Sequence, residues 1–181
     1  MEIKTKQILN VLIVISWIIF FGVCIELGGF ITNAVFALVN PASLKYLWQQ
    51  ADLTNLYQYD TGYYLVILLH IIMPMTFKAF LFYLIIRILH SKKLNMSEPF
   101  NKEMVNFVSN LSYVALLIGI FSAWGANYAE WLAKKGIEMP DLQNLRLGGA
   151  DVWVFMGVIL FVIAQIFKRG VEIQAEHELT V

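Results

Sequence analysis

Charged residues and cysteine are both scarce in this sequence. Charged residues make up 14% of the 181 positions and hydrophobic residues 59%, whereas soluble domains have about 25% and about 45–50%. The only cysteine, Cys24, lies inside an apolar run, which excludes an intramolecular disulfide and a metal site built from cysteines. An ordinary soluble domain is therefore excluded. The composition predicts an integral membrane protein that has membrane lipid as a partner.

Net charge and the common catalytic motifs are absent as well. The 13 basic residues balance the 13 acidic ones, so no overall field attracts nucleic acid. The sequence has no His-Glu-x-x-His, no P-loop, no Gly-x-Gly-x-x-Gly and no nucleophile elbow. Its three histidines also argue against a haem held across a bundle. We predict no enzymatic activity, no catalytic residue, no metal, no cofactor and no direct contact with nucleic acid.

What the sequence does have is four long apolar stretches. They predict helical spans over 8–33, 62–89, 104–128 and 151–168, and each exceeds the minimum of about 17 residues that crosses a bilayer. The first is longer than the apolar core of about 7–15 residues in a signal peptide, so we expect it to be retained. Because lipid tolerates only helices or closed barrels, we predict an all-α, integral membrane four-helix bundle that forms a single domain over 1–181.

Basic residues predict the orientation. The spans leave a first outer loop at 40–61, a cytoplasmic connection at 90–103, a second outer loop at 129–150 and a cytoplasmic tail at 169–181. Eight basic residues fall on the side of the termini: Lys4, Lys6, Arg87, Lys92, Lys93, Lys102, Lys168 and Arg169. Four fall on the other side: Lys45, Lys134, Lys135 and Arg146. The positive-inside rule then predicts an inner-membrane protein with both termini in the cytoplasm.

Local patterns predict how the connections are built. In the first outer loop, apolar residues at near-helical spacing predict a short amphipathic helix lying in the interface: Leu44, Leu47, Trp48, Ala51 and Leu56. Gly136 stands where a C-cap glycine would end an extended third span, and Gly148-Gly149 mark the start of the fourth. The spacing of Gly119 and Ala123 permits close packing of helices.

Three ionisable residues lie inside the spans, where charge is costly and often functional. Counted from the cytoplasmic side, Glu26 lies about 27 Å up, His70 about 25 Å and Lys78 about 13 Å. These depths predict an upper polar layer of Glu26 with His70 and separate Glu26 from Lys78. The alternatives are a structural carboxylate at Glu26 and a lysine that extends its side chain to the surface.

A lower polar layer is predicted at the depth of Lys78. It contains Ser16 and Asn110, and Asn110 belongs to a helical stripe with Asn106 and Tyr113 that we expect to face the bundle interior. Such a stripe either joins helices or lines a ligand site. The candidates for a polar cavity are therefore Glu26, His70, Lys78, Asn110, Ser16, Asn106 and Tyr113.

Two segments resemble a known family. They are SEPFNKEMVNFVSNLSYVALLIGI, residues 97–120, and VFMGVILFVIAQIFKRGVEIQAEHELTV, residues 154–181. The chain is similar to the bacterial membrane family named domain of unknown function 2975, although His177 and Glu178 depart from the usual ending. The resemblance implies four spans and a frequent genomic neighbour, a small helix-turn-helix regulator of the Cro/CI type. It implies no activity and transfers no catalytic residue.

Both recognisable segments lie on the predicted cytoplasmic side. The candidates for a partner face are Lys92, Lys93, Pro99, Phe100, Glu176, Glu178, Leu179 and Thr180; the tail could equally pack on its own bundle. Our first hypothesis is a non-enzymatic membrane-sited sensory or regulatory partner of a cytoplasmic transcriptional regulator. The second is a small-ligand or lipid-binding protein, a transporter or a membrane enzyme that uses an intramembrane polar cavity.

Overall fold

The protein is all-helical in the parts of the chain that the computed structural model describes, which are residues 2–40, 51–91 and 101–178. The helices are α1 (Glu2–Val39), α2 (Thr54–Tyr59), α3 (Thr61–His90), α4 (Lys102–Lys134) and α5 (Ala150–Glu178). Four of them, α1, α3, α4 and α5, are long and apolar enough to cross a membrane. Each predicted span lies inside one of these four helices, so the chain is a multi-pass membrane protein.

The helix ends follow local chemistry that the sequence displays. Asp60 caps α3 by accepting a hydrogen bond from the Tyr63 backbone N–H, and Asn101 caps α4 by accepting one from that of Met104. Beyond α4, Gly136 has φ +84°, and Gly149 has φ +73° directly before α5. Left-handed φ values favour glycine, which explains why the chain turns at these two positions.

The long helices pack in chain order. Among the described residues, α1 packs on α3, α3 on α4 and α4 on α5, whereas α1 and α5 share no extended interface. The bundle is therefore an open series of helices, and its two outermost members expose most of their apolar surface. Exposed apolar faces of this kind are suited to lipid.

The closest interface lies between α4 and α5 and depends on small residues. A Cβ atom at Gly119 would lie 2.9 Å from the backbone nitrogen of Val154, and one at Gly157 would lie 3.0 Å from that of Leu116. The two backbones approach this closely because no side chain separates them. Ser112 adds a buried hydrogen bond from its hydroxyl to the Gly157 carbonyl, at 2.9 Å.

The two ends of the bundle differ. At one end, here called the loop end, segments 51–60 and 135–149 fold back into the core. Their buried apolar residues, which pack with α3 and α4, are Ala51, Leu53, Leu56, Ile137, Leu145 and Leu147. The short helix of the first loop, α2, thus packs on the core through Leu56. The predicted interfacial residues Leu44, Leu47 and Trp48 lie outside the described residues.

At the opposite end, here called the terminal end, α1 and α5 project beyond their neighbours. Trp17 contacts His90, the last residue of α3, with ring centroids 6.3 Å apart. The part of α1 before Trp17 therefore continues for about 22 Å past α3. The rings of Tyr113 in α4 and Phe161 in α5 are also in contact, which fixes the relative level of these two helices. Counted from this contact, α5 continues about 9 Å past the start of α4.

Candidate functional site

Glu26 forms an ion pair with Arg146 of the second loop. Arg146 Nη2 lies 2.5 Å from Glu26 Oε1, and the two side chains are 41% and 28% exposed. The predicted pairing of Glu26 with His70 is therefore wrong. The carboxylate in span one is matched by a guanidinium from segment 135–149, which belongs to the predicted second outer loop.

Lys78 joins the same cluster through the backbone of Arg146. Its Nζ donates a hydrogen bond to the Arg146 carbonyl oxygen at 3.1 Å and lies 5.8 Å from the centre of the Trp153 ring. Arg146 thus contacts α1 through its side chain and α3 through its carbonyl. We call Glu26, Lys78 and Arg146 the charged cluster; with all three ionised it carries one excess positive charge.

The depth estimate failed because α1 is longer than a membrane requires. Trp17, and not Ile8, lies at the level of the end of α3. Counted from that contact, Glu26 is about 13 Å up α1 and Lys78 about 18 Å up α3. The two residues therefore lie within about 5 Å of the same level, and Arg146 contacts both of them. The prediction that depth separates Glu26 from Lys78 is wrong.

The fold of segment 141–149 holds Arg146 in place. The backbone N–H groups of Leu147 and Gly148 both donate to the Leu142 carbonyl, and the side chains flanking Arg146, Leu145 and Leu147, are buried. Arg146 itself has φ +58°, a left-handed conformation that is uncommon for residues other than glycine. The buried leucines anchor the turn, and the arginine between them is directed towards α1.

One glycine of α4 makes room for that anchor. A Cβ atom at Gly125 would lie 2.8 Å from a methyl carbon of Leu147 and 3.2 Å from Cβ of His70. Gly125 therefore lets the second loop approach the helices closely. The placement of Arg146 thus depends also on the absence of a side chain at Gly125, in a different helix.

His70 belongs to a separate aromatic cluster. Its ring stacks on that of Tyr128 with centroids 5.3 Å apart, and its Nδ1 lies 2.8 Å from the Val66 carbonyl one turn earlier. A hydrogen bond to the preceding turn satisfies the ring without an ionised partner. The structure therefore gives His70 packing contacts within the described residues and does not bring it to Glu26.

The predicted lower layer is also divided. Ser16 is buried and donates to the Leu12 carbonyl at 2.7 Å, whereas Asn106, Asn110 and Tyr113 lie on an exposed face of α4. The prediction that this stripe faces the interior is wrong. The buried face of α4 consists mainly of small or apolar residues, because close helix packing and not polarity forms this interface.

The candidate partner-face residues can be located only in part. Lys92, Lys93, Pro99, Phe100, Leu179 and Thr180 lie outside the described residues, and Glu178 is the last residue of α5. Glu176 is exposed in the last turns of α5. The segment after the fourth span therefore continues the same helix, with Arg169 and Glu172 paired on its surface at 3.0 Å.

The contacts of the charged cluster hold parts of the protein together. Within the described part of the chain, no group of three or more His, Cys, Asp or Glu side chains is placed to hold a metal ion. The Glu26 carboxylate accepts a hydrogen bond from Arg146, and the Arg146 carbonyl accepts one from Lys78. The cluster joins segment 135–149 to α1 and α3.

The described residues also form grooves outside the charged cluster. One, of about 780 Å³, lies between α4, segment 142–149 and α5 and is lined mostly by apolar atoms; no predicted cavity residue lines it. Another, of about 380 Å³, lies between α3 and α4 at the terminal end, and Asn106 and Asn110 line it. The two asparagines thus form part of an open groove at the bundle surface.

Comparison with known protein families identifies a match. The model of a family described as "Protein of unknown function (DUF2975)" matches residues 47–181. The matched part contains α2 to α5, including Lys78 and Arg146. No curated protein and no solved structure matches the chain.

Proposed function

Because the chain belongs to the DUF2975 family of proteins of unknown function, we propose its function from the geometry: it is a non-enzymatic membrane protein that acts as the sensory partner of a cytoplasmic transcriptional regulator. The observation that supports this proposal most directly is the charged cluster. It joins the loop end of the bundle to α1, and α1 runs without interruption to the terminal end.

The length and isolation of α1 suit it for transmitting a displacement. Its 38 residues extend for about 57 Å and include no proline, so no proline kink breaks the helix. Among the long helices described, α1 packs along α3 alone. A movement of Arg146 at the loop end would therefore shift α1 against α3 and displace its N-terminal turns.

The terminal end is where a soluble partner would bind. In our proposal this end faces the cytoplasm of a bacterium and the protein lies in its inner membrane, because most basic residues lie at this end. The candidate partner-face residues belong to segments 91–103 and 170–181, which in the sequence adjoin the ends of α3, α4 and α5. The family resemblance implies a helix-turn-helix regulator of the Cro/CI type as the partner.

The structure gives less support to the alternative, a ligand-binding protein, transporter or membrane enzyme built on a polar cavity. That hypothesis requires Glu26, His70, Lys78 and Asn110 to line one space. In the described residues, Glu26 and Lys78 meet through Arg146, whereas His70 packs on Tyr128 and Asn110 lies on the surface. We therefore favour the sensory partner.

A reporter for the regulator's target promoter, in the native host, tests the proposal. We expect deletion of this gene to change promoter output, and Glu26→Gln to reproduce that change at an unaltered level of membrane protein. Asp151→Asn is the matched control, because it removes a carboxylate at the loop end that has no contact with the charged cluster. We expect this control to behave as the parent.

A pull-down tests whether the regulator binds, separately from the role of the charged cluster. Tagged full-length protein in mild detergent should retain the helix-turn-helix regulator encoded beside it, and removal of 170–181 should weaken that retention if the tail contributes. Promoter output that is unchanged by deletion, together with no retained regulator, would overturn the proposal. Retention with parental output from Glu26→Gln would overturn the role of the charged cluster alone.

A further inference from the structure

A buried hydroxyl of α4 has no hydrogen-bond partner among the described residues. Ser122 is fully buried, and its Oγ atom makes no hydrogen bond there. Ser112 is a fully buried serine of the same helix, and its hydroxyl donates to the Gly157 carbonyl at 2.9 Å. A buried hydroxyl without a partner destabilises the state that contains it. Ser122 therefore favours any arrangement that brings a donor to its oxygen.

The packing of α3 on α4 places Ser122 close to Lys78. Leu81 of α3 and Ile118 of α4 belong to one buried cluster. Lys78 lies one helical turn from Leu81, and Ser122 lies one turn from Ile118. Because α3 and α4 run in opposite directions, both steps lead towards the loop end. Lys78 and Ser122 therefore lie in the same layer of the bundle.

The contacts of Lys78 lead to the same position. Its Nζ donates to the Arg146 carbonyl and lies 5.8 Å from the centre of the Trp153 ring. Ser122 lies between two glycines of α4, each of which closely approaches a chain neighbour of one of these contacts: Gly119 approaches Val154, and Gly125 approaches Leu147. The Ser122 hydroxyl and the Lys78 ammonium thus lie between the same two neighbouring segments.

Lys78 has the donors that this hydroxyl lacks. A lysine ammonium has three N–H donors on a flexible stem, and one of them donates to the Arg146 carbonyl at 3.1 Å. A rotation of the stem that moved the ammonium to Ser122 would replace one acceptor with another. Lys78 would keep its number of hydrogen bonds, and the buried hydroxyl would gain a partner.

We infer that Lys78 alternates between two positions, one on the Arg146 carbonyl and one on the Ser122 hydroxyl. The first position holds the turn of segment 141–149 against α3. The second loosens this turn, because it removes the hydrogen bond between Arg146 and α3. Two packings that each satisfy the lysine form the kind of two-state element that a signal can bias. The use of this element in signalling rests on the proposed function, since the loosened turn is the one that carries the contact with α1.

Hydrogen–deuterium exchange of the full-length protein in mild detergent tests this inference. The reporters are the backbone amides of 145–148, which donate hydrogen bonds within the turn. Ser122→Ala removes the second acceptor and also the unpartnered hydroxyl of the first state. We therefore expect these amides to exchange about tenfold more slowly, relative to those of α5. Ser122→Cys, whose thiol is a weak acceptor, should act in the same direction and serves if Ser122→Ala is unstable.

Two further variants make the result specific. Ser112→Ala is the matched control, because it removes a buried hydroxyl of α4 that already has a partner; the amides of 145–148 should exchange as in the parent. In a Lys78→Met background no ammonium can move, so Ser122→Ala should no longer slow the exchange. Parental or faster exchange in Ser122→Ala, or slowing that persists with Lys78→Met, would overturn the inference.

Promoter output separates this inference from the proposed function. Ser122→Ala favours the held turn and Glu26→Gln breaks its contact with α1, so we expect the two variants to shift promoter output in opposite directions. Slowed exchange with parental output from Ser122→Ala would retain the two positions and overturn their use in signalling. Promoter output that is unchanged by deletion of the gene would overturn the proposed function and leave the exchange result standing.

Discussion

The ion pair between Glu26 and Arg146 allows a quantitative prediction. The variants are Glu26→Gln, Arg146→Gln and the two together, which form a double-mutant cycle. Glutamine is preferred at 146 because glycine would relieve the left-handed backbone at φ +58°, worth about 1 kcal/mol, and would mask part of the loss. Arg146→Gln also keeps the carbonyl that binds Lys78, so the cycle isolates the side-chain contact.

The exposure of the two side chains sets the expected magnitude. Fully exposed pairs contribute about 0.2–1 kcal/mol, and removal of one partner from a buried pair costs about 3–5 kcal/mol. Arg146 and Glu26 are 41% and 28% exposed, which places them between these limits. We expect each single variant to lower the free energy of unfolding by about 1–2 kcal/mol, with a coupling energy of about 1 kcal/mol.

Equilibrium unfolding in mixed micelles measures these values. The fraction of denaturing detergent is raised and tryptophan fluorescence followed, since Trp153 lies beside Lys78 in the charged cluster. The swapped pair, Glu26→Arg with Arg146→Glu, should recover part of the loss and serves as the positive control. Single variants as stable as the parent, or strictly additive effects in the double variant, would show that the ion pair does not fasten the loop.

Three further predictions concern packing and pH. Gly119→Ala should destabilise the protein by about 1–3 kcal/mol, because its Cβ would meet backbone atoms of α5. Gly28→Ala, where nothing lies within 4 Å, should be neutral or stabilising by up to about 1 kcal/mol; thermal unfolding distinguishes the two. Ser112→Ala should cost about 0.5–1 kcal/mol in the mixed-micelle assay, since it removes one buried hydrogen bond. Hydrogen bonds from the side chain and then the backbone of Thr54 hold the pKa of Asp52 below its usual range. The stability from Asp52 is therefore present above the unfolded pKa of about 3.9 and lost as the pH falls through the lower folded value; Asp52→Asn should reduce this acid-side loss in a pH series of unfolding midpoints.

The existence of the long helices, and the ends marked by Gly136 and Gly149, could be predicted because they depend on local chemistry. An apolar run or a single residue such as Gly136 determines the conformation of only a few neighbouring positions. The structure has a long helix at each apolar run and a left-handed turn at Gly136. The register of α1 could not be predicted in this way. Its apolar run is longer than a bilayer requires, so the level of Glu26 depends on where Trp17 meets His90. That contact lies between distant parts of the chain.

Arg146 is the site residue that the sequence reasoning missed, although the sequence contains a signal for it. The fourth apolar stretch is the shortest, and three residues separate the segment Leu145-Arg146-Leu147 from its predicted start at 151. Because the final apolar stretch is short, the loop before it must fill the remaining depth of the bundle. Leucines on either side of a cation indicate that the loop is buried at that point. The count of basic residues that predicts orientation treats Arg146 as a surface charge, and it therefore does not use this signal.

The open series of helices has a consequence for how the protein forms. Because α3 packs on α1, α4 on α3 and α5 on α4, each helix finds its main partner already synthesised when it leaves the ribosome. The ion pair between Glu26 and Arg146 is different, because it joins residues 120 positions apart. It cannot form until the second loop has been synthesised. We expect assembly to proceed by successive addition of helices, with low loop-closure cost at each step. The charged cluster closes only after the second loop has been synthesised, so a chain stalled before residue 146 should leave α1 inserted but not fixed in register.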